Sequence, residues 1–183
     1  LVLGGAASLQ RGALIPAEAK LGKVVQTVEQ APVARMLLAE TFLRMGQPEK
    51  SLATLRPLLE KTRPDAGALA LAGQAHLHAG HVQEAEAMFE AAVKLKPEDV
   101  QVRTALALTD LAKGNSVAAL GSLESIAAKD TGETADLALI TAHLRRREYD
   151  AALSAVALLE RKLATKPTAP HLRGLALRGK GDE

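Results

Sequence analysis

His76, His78 and His81, with Glu84 close behind, form the densest group of potential metal ligands in the chain. A zinc-type site needs three or four such groups converging on one point. Spacings of two and three residues do not place all three rings on one helical face, and Gly80 interrupts them with a chain reversal. Turn and groove histidines with no bound metal are therefore expected. A second group, Arg145-Arg146-Arg147 followed by Arg161, Lys162 and Lys166, has the charge to meet a phosphate or an anionic polymer. Cations also gather at helix C-termini, where the dipole favours them, so a solvated helix end is the plainer reading.

The parts of a catalytic centre are missing. Ser51, Ser116, Ser122, Ser125 and Ser154 stand outside any glycine elbow. No glycine-rich loop runs into Lys-Ser/Thr. Glu84, Glu86 and Glu90 fit the solvated side of an amphipathic helix better than an acid/base pair. No enzyme and no cofactor is expected. The 183 residues contain no cysteine, which excludes disulfides and thiol catalysis. A net charge of +2 is too small to argue for nucleic acid or an anionic membrane, and no apolar run reaches the ~18 residues of a membrane-spanning helix.

What must position these groups is a repeat. Gly12, Gly46, Gly80 and Gly114 recur every 34 residues, a period typical of stacked helix pairs. The expected helices are 1–11 and 16–29, 33–45 and 48–61, 67–79 and 83–95, 100–113 and 116–128, 134–146 and 149–163, then 169–179. Pro16 and Pro48 suit first helical turns. Pro64, Pro97 and Pro167 punctuate repeat ends. Pro57 removes the hydrogen bond to the Ala53 carbonyl, so a kink is expected there. In the fifth pair Arg147 replaces the turn glycine, one residue early.

Three further columns carry the packing. Gly5, Ala39, Gly73, Ala107 and Gly174 are small residues of the first helices; Ala17, Ser51, Ala85, Ala119 and Ala152 are their counterparts in the second. One turn beyond the latter come Leu21, Leu55, Phe89, Leu123 and Val156. A small residue at a crossing and a bulky one a turn later allow close ridge-in-groove stacking. The predicted fold is all-α, a right-handed solenoid of antiparallel helix pairs.

Residues 66–99 resemble the tetratricopeptide (TPR) repeat, with Leu69, Ala72-Gly73, Ala85, Phe89, Ala92 and Pro97 at its consensus spacings. The resemblance extends over 1–183 as a single array: a partial repeat at 1–31, full ones at 32–65, 66–99, 100–132 and 133–166, and a partial one at 167–183. The family's early aromatic is replaced by Arg35, Leu69, Arg103 and Asp136, and its later one, kept as Phe42, by His76, Asp110 and His143. The chain opens on Leu1, inside an expected helix, and reads as a piece of a longer protein.

More narrowly, AETFLRMGQPEKSLATLRPLLE, ADLALITAHLRRREYDAALSAVALLE and PHLRGLALRGKGD look like the TPR lipoprotein of bacterial exosortase/PEP-CTERM systems. That resemblance implies an exported, cell-envelope scaffold working with exopolysaccharide and protein-sorting machinery.

The family resemblance also implies that the first helices line a concave groove taking a protein or peptide segment. Carried over by register, the lining is Met36, Glu40, Leu43 and Arg44, then Ala70, Gln74, Leu77 and His78. It continues through Thr104, Leu108, Leu111 and Ala112 to Leu137, Thr141, Leu144 and Arg145. Family members that grip a C-terminal carboxylate use Lys and Asn at early groove positions; here Met36, Ala70, Thr104 and Leu137 stand at one, and Glu40, Gln74, Leu108 and Thr141 at another. The carboxylate clamp is absent. The column Leu9, Leu43, Leu77, Leu111 and Leu144 has two readings, an apolar stripe for a partner or packing between adjacent first helices. The expected function is a non-catalytic interaction scaffold. The alternatives are a generic TPR adaptor in another bacterial assembly and anionic polysaccharide binding through the basic C-terminal third. Self-association through the incomplete last repeat is a further expectation.

Overall fold

The computed structural model describes residues 1–28, 31–163 and 168–181. These form eleven α-helices and, among the described residues, no strand: α1 (Val2–Gln10), α2 (Leu14–Thr27), α3 (Pro32–Arg44), α4 (Pro48–Leu59), α5 (Ala66–His78), α6 (Val82–Leu95), α7 (Val100–Ala112), α8 (Ser116–Lys129), α9 (Thr134–Arg145), α10 (Tyr149–Lys162) and α11 (Thr168–Lys180). All eleven expected helices are present, with ends within about two residues of those read from the pattern. Pro167, expected to close the fifth repeat, and Lys166 lie outside the described residues.

Local chemistry sets the helix ends. Pro32 and Pro48 occupy first-turn positions, where a missing N–H costs no hydrogen bond. Asp65 and Asp99, one period apart, cap α5 and α7: Asp65 Oδ1 accepts from the Gly67 and Ala68 amides, Asp99 Oδ1 from those of Gln101 and Val102. Pro57 sits near the end of α4. That helix has 12 residues, where α2, α6, α8 and α10 have 14 each. The observed consequence of Pro57 is thus an early stop.

Every first helix that turns into a partner does so through one motif. Gly12, Gly46, Gly80 and Gly114 have φ between 70° and 93°, and Arg147 takes the same left-handed conformation at φ 60°. The amide of each donates to a leucine carbonyl three residues back (Leu9, Leu43, Leu77, Leu111 or Leu144) at 3.0–3.1 Å. The next amide donates to the carbonyl five back (Ser8, Phe42, His76, Asp110 or His143) at 2.8–3.0 Å. These paired bonds satisfy carbonyls that a helix end would otherwise orphan.

The helices fall into two compact units, Leu1–Pro97 and Glu98–Glu183. In the first, α1–α6 enclose two clusters, one around Leu9, Leu21, Val24 and Leu38, the other around Ala39, Leu55, Leu58 and Ala72. In the second, α7–α11 enclose Leu123, Leu139, Ile140, Val156 and Leu159, with a smaller cluster of Ile126, Ala127 and Ala135. Within each unit neighbouring first helices touch (α1 with α3, α3 with α5; α7 with α9, α9 with α11). Among the described residues of each unit, the second helices do not approach one another backbone to backbone as the first helices do.

Both packing columns of the second helices are sealed: Ala17, Ser51, Ala85, Ala119 and Ala152, and Leu21, Leu55, Phe89, Leu123 and Val156, are 0% exposed. The small residues opposite them make this closeness feasible. A Cβ on Gly5 would lie 2.5 Å from Leu21 Cγ, and one on Gly73 would lie 2.7 Å from Phe89 Cε1. Pair volumes compensate. Phe89, the largest of the bulky set, faces a glycine, while the smallest, Val156, shares its cluster with a fully buried Ile140 at the small position. Gly174 departs from the expectation, since a Cβ there would meet nothing within 4 Å. In α11 the close approach is made by Gly179, where a Cβ would overlap the Tyr149 ring.

Candidate functional site

In the first unit the expected lining residues Arg44, Gln74 and His78 are exposed, and Met36, Glu40, Ala70 and Leu77 are half-buried. Glu40 Oε1 accepts from Arg44 Nη2 at 2.6 Å, and Arg44 Nη1 also donates to the Leu9 carbonyl at 3.2 Å, so this guanidinium is held across two first helices. Leu43 corrects the expectation. It is 7% exposed and so does not line an open face.

In the second unit Leu108, Thr141, Arg145 and Ala112 are exposed, with Leu111, Leu137 and Leu144 half-buried against the core. Thr104 is the second correction: it is 4% exposed, its hydroxyl enclosed without a hydrogen-bond partner, and it cannot line an open face. The leucine column is therefore a packing column at Leu9 and Leu43, both buried, and a half-accessible one at Leu77, Leu111 and Leu144.

The three histidines do not converge. His78 is exposed on α5, while the His76 and His81 rings lie 5.8 Å apart between centroids and flank the Gly80 turn. Burial pushes the His76 pKa down; Glu84 opposes this and His81 adds to it. Its Nδ1 atom is enclosed without a hydrogen-bond partner. Among the described residues no three metal-ligating groups come together.

Two members of the basic group, Lys162 and Arg146, are engaged within the chain. Lys162 Nζ donates to Asp136 Oδ2 at 2.6 Å and to the carbonyls of Ala127 at 2.7 Å and Gly132 at 3.3 Å, neutralising a nearly buried carboxylate and satisfying the end of α8. Arg146 donates to Glu148 Oε1 at 2.7 Å and to Ser116 Oγ at 2.8 Å. Arg145, Arg147 and Arg161 remain exposed.

Sequence reasoning missed two clefts between second helices. One of about 780 Å³ separates α2 from α4 over Leu38 and Phe42; another of about 340 Å³ separates α8 from α10 over Leu139. The available signal was residue size. Thr54 and Ala155 line these clefts, whereas Met88, at the equivalent position of α6, packs onto the core. No helix among the described residues is long and apolar enough to cross a membrane.

Residues 36–100 match the family model described as tetratricopeptide repeat. No curated protein matches the chain in sequence. Among solved structures, a thermophilic TPR protein of Thermus thermophilus is similar at TM-score 0.79 and 20% identity, over 96% of this chain and 95% of that one. Pseudomonas aeruginosa pilF is similar at 0.74 and 21% identity, over 99% of this chain and 83% of that one. YrrB, a TPR protein with an unusual peptide-binding site, is similar at 0.65 and 15% identity, over 97% and 88%. The shared feature is the fold, an all-α TPR solenoid.

Proposed function

We propose that this chain, with tetratricopeptide repeats over residues 36–100 and their fold throughout, is a non-catalytic scaffold that docks a protein segment on its first helices. TPR proteins in general serve as interaction scaffolds. One observation carries the reading here: within each unit the first helices pack on one another and still present accessible side chains. These are Arg44, Gln74 and His78 in one unit and Leu108, Thr141 and Arg145 in the other. The finer reading places the scaffold in a cell-envelope exopolysaccharide and protein-sorting system. Its support is the wording of residues 39–60, 135–160 and 170–182, which looks like the TPR lipoprotein of exosortase/PEP-CTERM systems.

Site-specific photo-crosslinking tests both levels. A photoreactive residue replaces Gln74 or Thr141 on first helices, or Glu90 or Ser154 on second helices, all four exposed. Each variant is offered to fractionated extracts of the source cell. Products formed only from Gln74 and Thr141, and only in the envelope fraction, are expected. Products formed only from Glu90 and Ser154 would overturn the docking face, and products confined to the cytosolic fraction would overturn the envelope placement.

A further inference from the structure

The first helices of the second unit differ from those of the first in charge. Besides Arg103, Arg145, Arg173, Arg178 and Lys180, helices α7, α9 and α11 contain only two carboxylates, Asp110 and Asp136. Asp136 is 4% exposed and paired with Lys162, and Asp110 is half-buried beside the Gly114 turn. Arg173 and Lys180 are paired with Glu160 and Asp150 of α10. Arg145 and Arg178 are left exposed, with no carboxylate partner among the described residues. On α3, by contrast, Glu40 neutralises Arg44.

The same face is apolar between its cations. Leu108 is 39% exposed, and Leu111, Leu144 and Leu175 are half-buried. Arg145 follows Leu144 directly, and Arg178 occupies on α11 the position that Leu144 holds on α9. A hydrated polysaccharide has no use for exposed leucine, whereas a peptide that brings aliphatic side chains and carboxylates together satisfies both features. We propose that the α7–α9–α11 face takes an acidic amphipathic protein segment, its aliphatic side chains against Leu108, Leu111 and Leu144 and its carboxylates on Arg145 and Arg178. This rests on the first-helix docking reading and names the partner's chemistry for one unit.

The test is fluorescence anisotropy with the full 183-residue chain and two labelled amphipathic peptides. Both carry leucines at helical spacing; one has glutamate at every other position, its counterpart lysine. Saturable binding of the glutamate peptide alone is expected. Arg145→Glu and Leu108→Glu, each checked for native circular dichroism, should weaken it by about tenfold or more, and Arg145→Glu should gain affinity for the lysine peptide. Equal binding of the two peptides, no binding of either, or no effect of Arg145→Glu overturns the inference. Full competition by alginate, or by polyglutamate without leucine, also overturns it in favour of a general polyanion site. A photoreactive group at Thr141 separates the two readings. If it captures both peptides alike, the docking face stands and only the acidic preference fails; if only the group at Ser154 captures peptide, the face itself fails.

Discussion

His143 Nδ1 lies 2.7 Å from Glu148 Oε2, joining the last turn of α9 to the residue that precedes α10. An ionised carboxylate only accepts, so Nδ1 carries the proton in this bond. Glu148 also takes the Arg146 Nε–H on its other oxygen at 2.7 Å, and its amide donates to the His143 carbonyl at 2.9 Å. This is the turn in which Arg147 replaces glycine. A side-chain latch thus closes the turn that Arg147 strains.

Acid should open that latch. Hydrogen bonds from His143 and then Arg146 hold the Glu148 carboxyl below its ordinary 4.5. The folded state therefore binds this proton less readily than the unfolded chain. The contribution is complete above the ordinary value and is lost as pH falls through the folded one. Glu148→Gln should flatten the decline in urea stability as pH falls below the ordinary carboxylate range, relative to wild type. A variant with an unchanged slope would show that the latch contributes nothing.

Arg147→Gly should stabilise the protein. Relief of a left-handed non-glycine residue is worth about 1–2 kcal/mol, offset by about 0.4–1 kcal/mol of extra unfolded-chain entropy. A net gain of about 0.5–1 kcal/mol in urea denaturation is expected. The reverse changes, Gly46→Ala or Gly80→Ala, should cost about 1 kcal/mol each, purely through the backbone, because a Cβ at either position meets nothing within 4 Å.

Gly73→Ala acts by a different mechanism. Its methyl would sit 2.7 Å from a Phe89 ring that is fully buried, and overpacking of this kind costs about 1–3 kcal/mol. Phe89→Leu in the same chain should recover most of the loss, since Ala39 with Leu55 and Ala107 with Leu123 are already combinations of that kind. Additive single-mutant effects in a double-mutant cycle would contradict this volume matching.

Lys162→Met strands Asp136 and two carbonyls, and should destabilise the second unit by about 3 kcal/mol in chemical denaturation. Adding Asp136→Leu removes the uncompensated charge and should restore at least half of that loss. If the double variant were the less stable of the two, the pair would be stabilising beyond mutual neutralisation.

The fold was legible because its determinants are periodic. The turn residues, the two columns of small residues and the bulky column can be read by counting, and Arg147 was recognisable as a turn residue only from its place in the count. What counting missed was side-chain reach. Nothing in sequence spacing brings Lys162 to Asp136, because their meeting depends on how three helices cross. Leu43 and Thr104 hold groove positions by register yet are buried, which spacing alone does not reveal. The clefts above Leu38 and Leu139 follow from the shortness of Thr54 and Ala155, a difference that appears only against Met88.

In the two glycine pairs, Gly5 with Leu21 and Gly73 with Phe89, knob and hole are 16 residues apart along the chain. Closing so short a loop costs little entropy and is fast. A helix pair can therefore assemble its own contact before any neighbour is in place. The kinetic consequence is a folding reaction with several interchangeable starting points, so that slowing one helix pair by mutation would redirect the folding route rather than halt it.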